Sequence, residues 1–314
     1  MNRLISRCVL ALSASAILST NVMAADAASC QNVRMGVVDW TDVIATSAMT
    51  KVLLDGLGYS TKQTSASQQI IFAGIRDQRL DLFLGYWNPL MTQTITPFVE
   101  AKQVKVLSKP SLEDARATLA VPTYLADKGL KSFADIAKFE KELGGKIYGI
   151  EPGSGANTQI KAMIARNQFG LGKFQLVESS EAGMLAAVNR AVRRNGAVVF
   201  FGWAPHPMNV NVAMTYLTGS DDAMGPNEGA ATVWTVTSPG YAEQCPNVHK
   251  LLTNLSFTAA DESRMMQPLL DHKDPLDSAR QWLKDHPQDQ ARWLEGVTTF
   301  DGKPAAANLQ LTEK

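Results

Sequence analysis

The chain has 314 residues, of which 45% are hydrophobic and 19% charged, a balance that excludes wholesale disorder. Its 30 Lys and Arg against 30 Asp and Glu leave no net charge, which argues against a broad basic face for nucleic acid. The length suggests two folding units. The first segment is read apart from the rest. Arg3 and Arg7 open it, Cys8 to Leu18 is an apolar run, and small residues follow in Val22-Met23-Ala24 and Ala25-Asp26-Ala27. This is the pattern of a cleaved secretory signal over residues 1–24, with a second cleavage point after Ala27. The apolar run is too short to span a bilayer, no lipobox Cys follows it, and no later stretch reaches spanning length. Removal of the signal takes Arg3, Arg7 and Cys8 with it, so the net charge falls to about −2. Cys30 and Cys245 remain, and two cysteines in an oxidising compartment read as one disulfide.

In chain order, Val33 to Val38 reads as a buried strand, followed by Trp40-Thr41-Asp42 and a helix from about Val43 to Leu57. Tyr59 to Thr64 is a second strand, Gln68 to Arg79 a second helix, and Asp81 to Trp87 a third strand. Ala117 to Val121 is strand-like and runs into Pro122-Thr123-Tyr124. Ser132 opens a helix, and Lys146 to Ile150 is a strand. The turn Glu151-Pro152-Gly153-Ser154-Gly155-Ala156-Asn157 leads into a helix from about Thr158 to Asn167. Ser180 to Arg193 is helical, Ala197 to Trp203 and Ala231 to Thr237 are strands, and helices fill most of Pro246 to Leu294. Strands alternating with helices predict an α/β fold with a mainly parallel sheet.

Trp40, Trp87, Trp203 and Tyr124 each lie at or just beyond the end of a predicted strand. Ligands of open α/β sheets bind at the carboxyl ends of strands. A single aromatic there reads as core. Four together read as a cage whose ring faces attract a cation, and a quaternary ammonium, with no N–H to donate, suits such a cage. Asp42 reads either as the cap of the following helix or as a carboxylate facing the cation. Gly153 to Asn157 lacks the spacing of a nucleotide loop and reads as a tight turn that delivers Asn157 as a polar contact, or as simple helix capping. Four His and a bridged Cys pair give no metal set, and no nucleophile elbow or acid–base pair stands out, so no catalytic residue, metal or cofactor is expected.

Three blocks, Val37-Val38-Asp39-Trp40-Thr41-Asp42, Gly85-Tyr86-Trp87-Asn88-Pro89 and Gly202-Trp203-Ala204-Pro205-His206-Pro207-Met208-Asn209, resemble the choline-binding periplasmic receptors of bacterial ABC importers. These belong to the wider glycine betaine/choline substrate-binding family. The resemblance implies a type II periplasmic binding protein with two lobes, two hinge crossovers and a cleft between them. It places the first lobe at 28–117 and 212–314 and the second at 118–211. It implies cage roles for Trp40, Trp87, Tyr124 and Trp203, a charge-partner role for Asp42 and a hydroxyl contact for Asn157. Pro207 stands where many betaine-binding members carry Trp, which favours choline. The implied protein is a monomeric periplasmic receptor that hands choline to a membrane permease. Glycine betaine, carnitine and acetylcholine are the alternative ligands. A choline-ester hydrolase and an osmosensor subunit are the rival functions.

Overall fold

The computed structural model describes residues 26–305 and Leu309. The expected signal segment, 1–24, lies outside the described residues. Ten strands form one curled sheet: β1 (Asn32–Val37), β2 (Ser60–Ser65), β3 (Leu82–Asn88), β4 (Lys105–Val106), β5 (Leu112–Pro122), β6 (Lys146–Tyr148), β7 (Gln175–Val177), β8 (Phe200–Ala204), β9 (Met214–Tyr216) and β10 (Ala230–Thr237). The sheet order is β2-β1-β3-β10-β5-β8-β6-β7, with β4 against β10 and β9 against β5.

The expected parallel sheet is present as two separate parts. β1 pairs in parallel with β2 and β3, and β6 pairs in parallel with β7 and β8. Between them run β10 and β5, antiparallel to their neighbours. These two strands carry the chain from one lobe to the other, which is why they oppose the parallel sets. The first half of β5 pairs with β10 and its second half with β8 and β9. β9 thus lies with the second lobe, and the chain rejoins the first lobe's sheet at β10, downstream of residue 212.

Helix α1 (Thr41–Gly56) starts two residues earlier than its apolar pattern suggests and is buried on nearly every side. It lies between the sheet and two helices of the C-terminal region. Two of its buried threonines, Thr46 and Thr50, return their hydroxyls to the helix itself. Thr46 Oγ1 donates to the Asp42 carbonyl at 2.9 Å and Thr50 Oγ1 to the Thr46 carbonyl at 2.8 Å. Helices α2 (Gly155–Ala165) and α3 (Glu181–Val192) belong to the second lobe, each capped by the serine before it. Helices α4 (Pro246–Asn254), α5 (Ala259–Leu270) and α6 (Pro275–Asp285) complete the first lobe. Trp282 and Trp293 are packed in its core, and Trp234 lies half-buried on β10.

Cys30 and Cys245 are bonded, with Cα atoms 5.7 Å apart and a sequence separation of 215. Beside the bridge, Asp26 accepts the Asn247 and Val248 amides at 2.8 and 3.2 Å and the Tyr59 hydroxyl at 2.9 Å. A carboxylate at a helix N-terminus suits the helix dipole, so Asp26 caps α4 from a distant part of the chain. Asn247 extends the cluster, donating to Tyr59 Oη at 2.7 Å and accepting the Thr298 amide at 2.8 Å. All four groups are buried. Replacing Asn247 with Ala strands them, and a loss of about 2–4 kcal/mol in denaturant unfolding is expected.

Candidate functional site

The site is built where the two lobes face each other. Trp40 and Asp42 come from the end of β1 and the first turn of α1, and Trp87 from the end of β3. Trp203 and Phe201 come from β8, and Ala117 from the crossing strand β5, where it pairs with Trp203. Ser154, Gly155 and Ala156 supply the wall at the start of α2. These side chains line one pocket. The three tryptophans expected from the sequence are all buried in it, with Asp42 only 3% exposed.

Hydrogen bonds fix the indoles. Trp87 Nε1 donates to Asp42 Oδ2 at 2.9 Å, and Trp40 Nε1 donates to Glu151 Oε2 at 3.0 Å. With their N–H groups held by carboxylates, the rings can present their faces to the pocket. Trp203 stacks on Phe201, with centroids 5.5 Å apart, and meets the His206 ring edge-on at 4.8 Å. Asp42 is not the helix cap, since α1 begins at Thr41 with Trp40 in the capping position. Burial raises the Asp42 carboxyl to about 6, with the charge of Glu181 adding to the rise and the Trp87 hydrogen bond opposing it. A buried carboxylate held only by neutral N–H groups, the Trp87 indole and the Val43 amide, beside a neighbouring anion is short of positive charge.

Two expected contacts lie elsewhere. Tyr124 sits in the short helix Thr123–Asp127, and its hydroxyl donates to the Gly196 carbonyl at 2.7 Å. It does not line the pocket, and the chain turns away from the cleft after Pro122. Phe201 is the fourth aromatic of the lining. It lies inside the apolar run of β8, where an aromatic reads as core, and side-chain alternation puts it on the same face as Trp203. Asn157 is turned into its own loop. Its Oδ1 accepts the Ile150 amide at 3.0 Å, and its Nδ2 donates to the Ile150 and Glu151 carbonyls at 2.9 and 3.0 Å. These bonds lace the β6–α2 turn; Ser154, whose hydroxyl accepts the Asn157 amide as the cap of α2, lines the pocket.

Three further residues escaped the sequence reading. Glu181, first in α3, accepts the Thr41 amide at 3.0 Å and the Thr41 hydroxyl. His206 Nδ1 accepts the Met208 amide at 2.9 Å, so Nε2 carries the ring proton and donates to Glu181 Oε1 at 3.1 Å. Glu262 on α5 is buried with one oxygen unpartnered, and burial, aided by Asp42 and Asp114, pushes it well above the usual carboxylate range. Spacing along the chain gives no sign of the Glu181 contacts, because Thr41 and His206 are distant from it in sequence. Among the described residues no cluster of His, Cys, Asp and Glu could hold a metal ion, and no helix is long and apolar enough to cross a membrane.

The lobes touch through small residues as well as polar ones. A Cβ on Gly155 would stand 2.8 Å from the Leu90 carbonyl carbon and closer still to its oxygen. Backbone cannot yield as a side chain can. Gly155→Ala is therefore expected to leave each lobe intact and hold the two apart. Small-angle scattering should show a larger radius of gyration than wild type, with an unchanged unfolding midpoint.

Comparison with known proteins places this geometry among transport proteins. A model for the substrate-binding domain of the ABC-type glycine betaine transport system matches residues 31–285. An ABC-transporter choline-binding protein in complex with choline is 45% identical, with a TM-score of 0.85 over 88% of this chain and 96% of that one. The unliganded, semi-closed form of such a protein is 46% identical, with a TM-score of 0.81 over 89% and 97%. The glycine betaine/carnitine transport binding protein GbuC of Listeria monocytogenes is 30% identical over 167 residues, which are 52% of this chain and 55% of that protein.

Proposed function

Since the chain belongs to the family of substrate-binding domains of ABC-type glycine betaine transport systems, we propose that it is a periplasmic receptor that encloses choline and delivers it to a membrane permease. The family is one of transport receptors rather than enzymes. The observation that carries the choline reading is Asp42, buried among three indoles and held by one of them. A trimethylammonium group lacks N–H, so it gains nothing from hydrogen-bond acceptors and most from ring faces and a nearby full charge. Trp40, Trp87, Trp203 and Phe201 supply the faces, Asp42 the charge, and Ser154 a partner for the ligand hydroxyl.

The energetics suffice. A ligand as small as choline has a ceiling of about 10 kcal/mol at roughly 1.5 kcal/mol per heavy atom. Desolvated cation–π contacts of about 2 kcal/mol each reach much of that before ordering costs. The same electrostatics disfavour a zwitterion. Its carboxylate would enter a space already bordered by Asp42, with no lysine or arginine to receive it, and both ring nitrogens of His206 are engaged within the protein.

Calorimetry should show choline binding at neutral pH, and no heat with choline would overturn the reading. Asp42→Asn should weaken choline at least tenfold while sparing glycine betaine; equal losses would leave Asp42 a purely structural role. The pH dependence has a fixed sign. The Asp42 carboxyl is raised from 3.8 to about 6, so it stabilises the empty closed form below 3.8 and that contribution is lost as pH rises through about 6. A cation binds the ionised form, so choline affinity should be full near pH 7.5 and fall by up to about tenfold per pH unit below 6.

The position of signal removal also follows from this reading. Asp26 is buried and caps α4, so cleavage after Ala24 keeps it and cleavage after Ala27 discards it. Intact mass of the secreted protein should correspond to a chain starting at Ala25. A start at Ala28 would show that the mature protein does without this cap.

A further inference from the structure

We propose that Glu181 is the latch that fastens the closed lobes, a positioning residue that acts through Thr41 without touching the ligand. Its binding assays rest on the choline reading; its geometry does not. Thr41 is the first residue of α1 in the first lobe, and Glu181 the first residue of α3 in the second. The cap of α1, Trp40, offers no side-chain acceptor, so the first amides of this helix need partners from outside. Glu181 Oε2 takes the Thr41 amide at 3.0 Å, and Oε1 takes the Thr41 hydroxyl. The carboxylate thus sits at the positive ends of two helices, its own and one across the cleft.

His206 aims it. The Met208 amide holds Nδ1, and Nε2 donates to Glu181 Oε1 from within the second lobe. All of these groups are buried while the lobes touch. When they part, Glu181 exchanges two charge-assisted hydrogen bonds for water, while the bond from His206 stays with it. The contact therefore counts only in the closed state. Thr41 precedes Asp42 in the first turn of α1, so the latch also sets the turn that presents the Asp42 carboxylate to the ligand. Other bridges also cross the cleft, Trp40 to Glu151 and Gln68 to the Gly153 carbonyl, each at 3.0 Å.

A latch and a cage residue leave different signatures. Loss of a cage ring should discriminate among ligands. Loss of the latch should weaken every ligand that closes the lobes by the same factor, and mainly through faster release. Choline, acetylcholine and glycine betaine should each bind Glu181→Ala about thirtyfold more weakly, the worth of one to two charge-assisted hydrogen bonds. Glu181→Gln, which keeps an acceptor for the Thr41 amide, should lose less. Thr41→Ala, in the opposite lobe, should lose several-fold, and the double variant should lose less than the product of the singles. A multiplicative double loss, or an unchanged release rate in Glu181→Ala, overturns the proposal.

A ligand-free readout separates this from the choline reading. Dyes on exposed Lys62→Cys and Lys173→Cys span the two lobes. In wild type without ligand, energy transfer should report a closed fraction that falls in Glu181→Ala and in Thr41→Ala. An unchanged distribution in both overturns the latch. Failure of wild type to bind choline overturns only the ligand assignment.

Discussion

A carboxylate removed from water must find positive charge or hydrogen-bond donors, and Asp42 finds two neutral donors, the Trp87 indole and the Val43 amide, and no cation in the pocket lining. The rest of the site is arranged around that shortage. Its walls are rings, which offer diffuse negative faces and no competing cation. Its neighbour is another carboxyl group, which deepens the deficit. The surface that closes over it contributes small residues rather than basic ones. No lysine or arginine lines the pocket. The positive charge has to arrive from outside, and the protein encloses whatever brings it.

Enclosure depends on close approach of two backbones. Gly155 lets the start of α2 meet the Leu90 carbonyl, and Asn157 braces the turn behind it. The Gly-rich segment Gly153-Ser154-Gly155 therefore works by what it omits. It removes side chains where the other lobe must fit. The polar bridges across the cleft are then short and buried, and their strength is felt only after the lobes meet.

Much of this was legible along the chain because it is local. Strand–helix alternation gave the α/β class, and the tryptophans at strand ends marked the cleft. The cysteine pair signalled that the N-terminal region lies beside a distant segment. Other features were hidden for physical reasons. β5 is longer than its apolar core because Glu113 and Asp114 interrupt the pattern while the strand continues. Its antiparallel direction is a property of topology, which residue periodicity does not encode. Glu181 and His206 were unreadable because their roles rest on partners more than 20 residues away. Asn157 sat at the right place for the wrong task, since a polar residue after a tight turn can face either the loop or the cleft. Tyr124 followed a strand end but on a chain already turning outward, and Phe201 filled the aromatic lining from inside β8.

The crossing strand β5 has one more consequence. Ala117 forms part of the pocket floor, and it lies on the segment that both lobes share. Recognition and mechanical pivot are thus the same few residues. In many proteins a binding pocket can drift in sequence while its moving parts stay fixed. Here a larger side chain at position 117 would reshape the floor and stiffen the axle together. New ligand preferences in this scaffold should therefore evolve from the walls, at Phe201, Ser154 and Ala156, before they evolve from the floor.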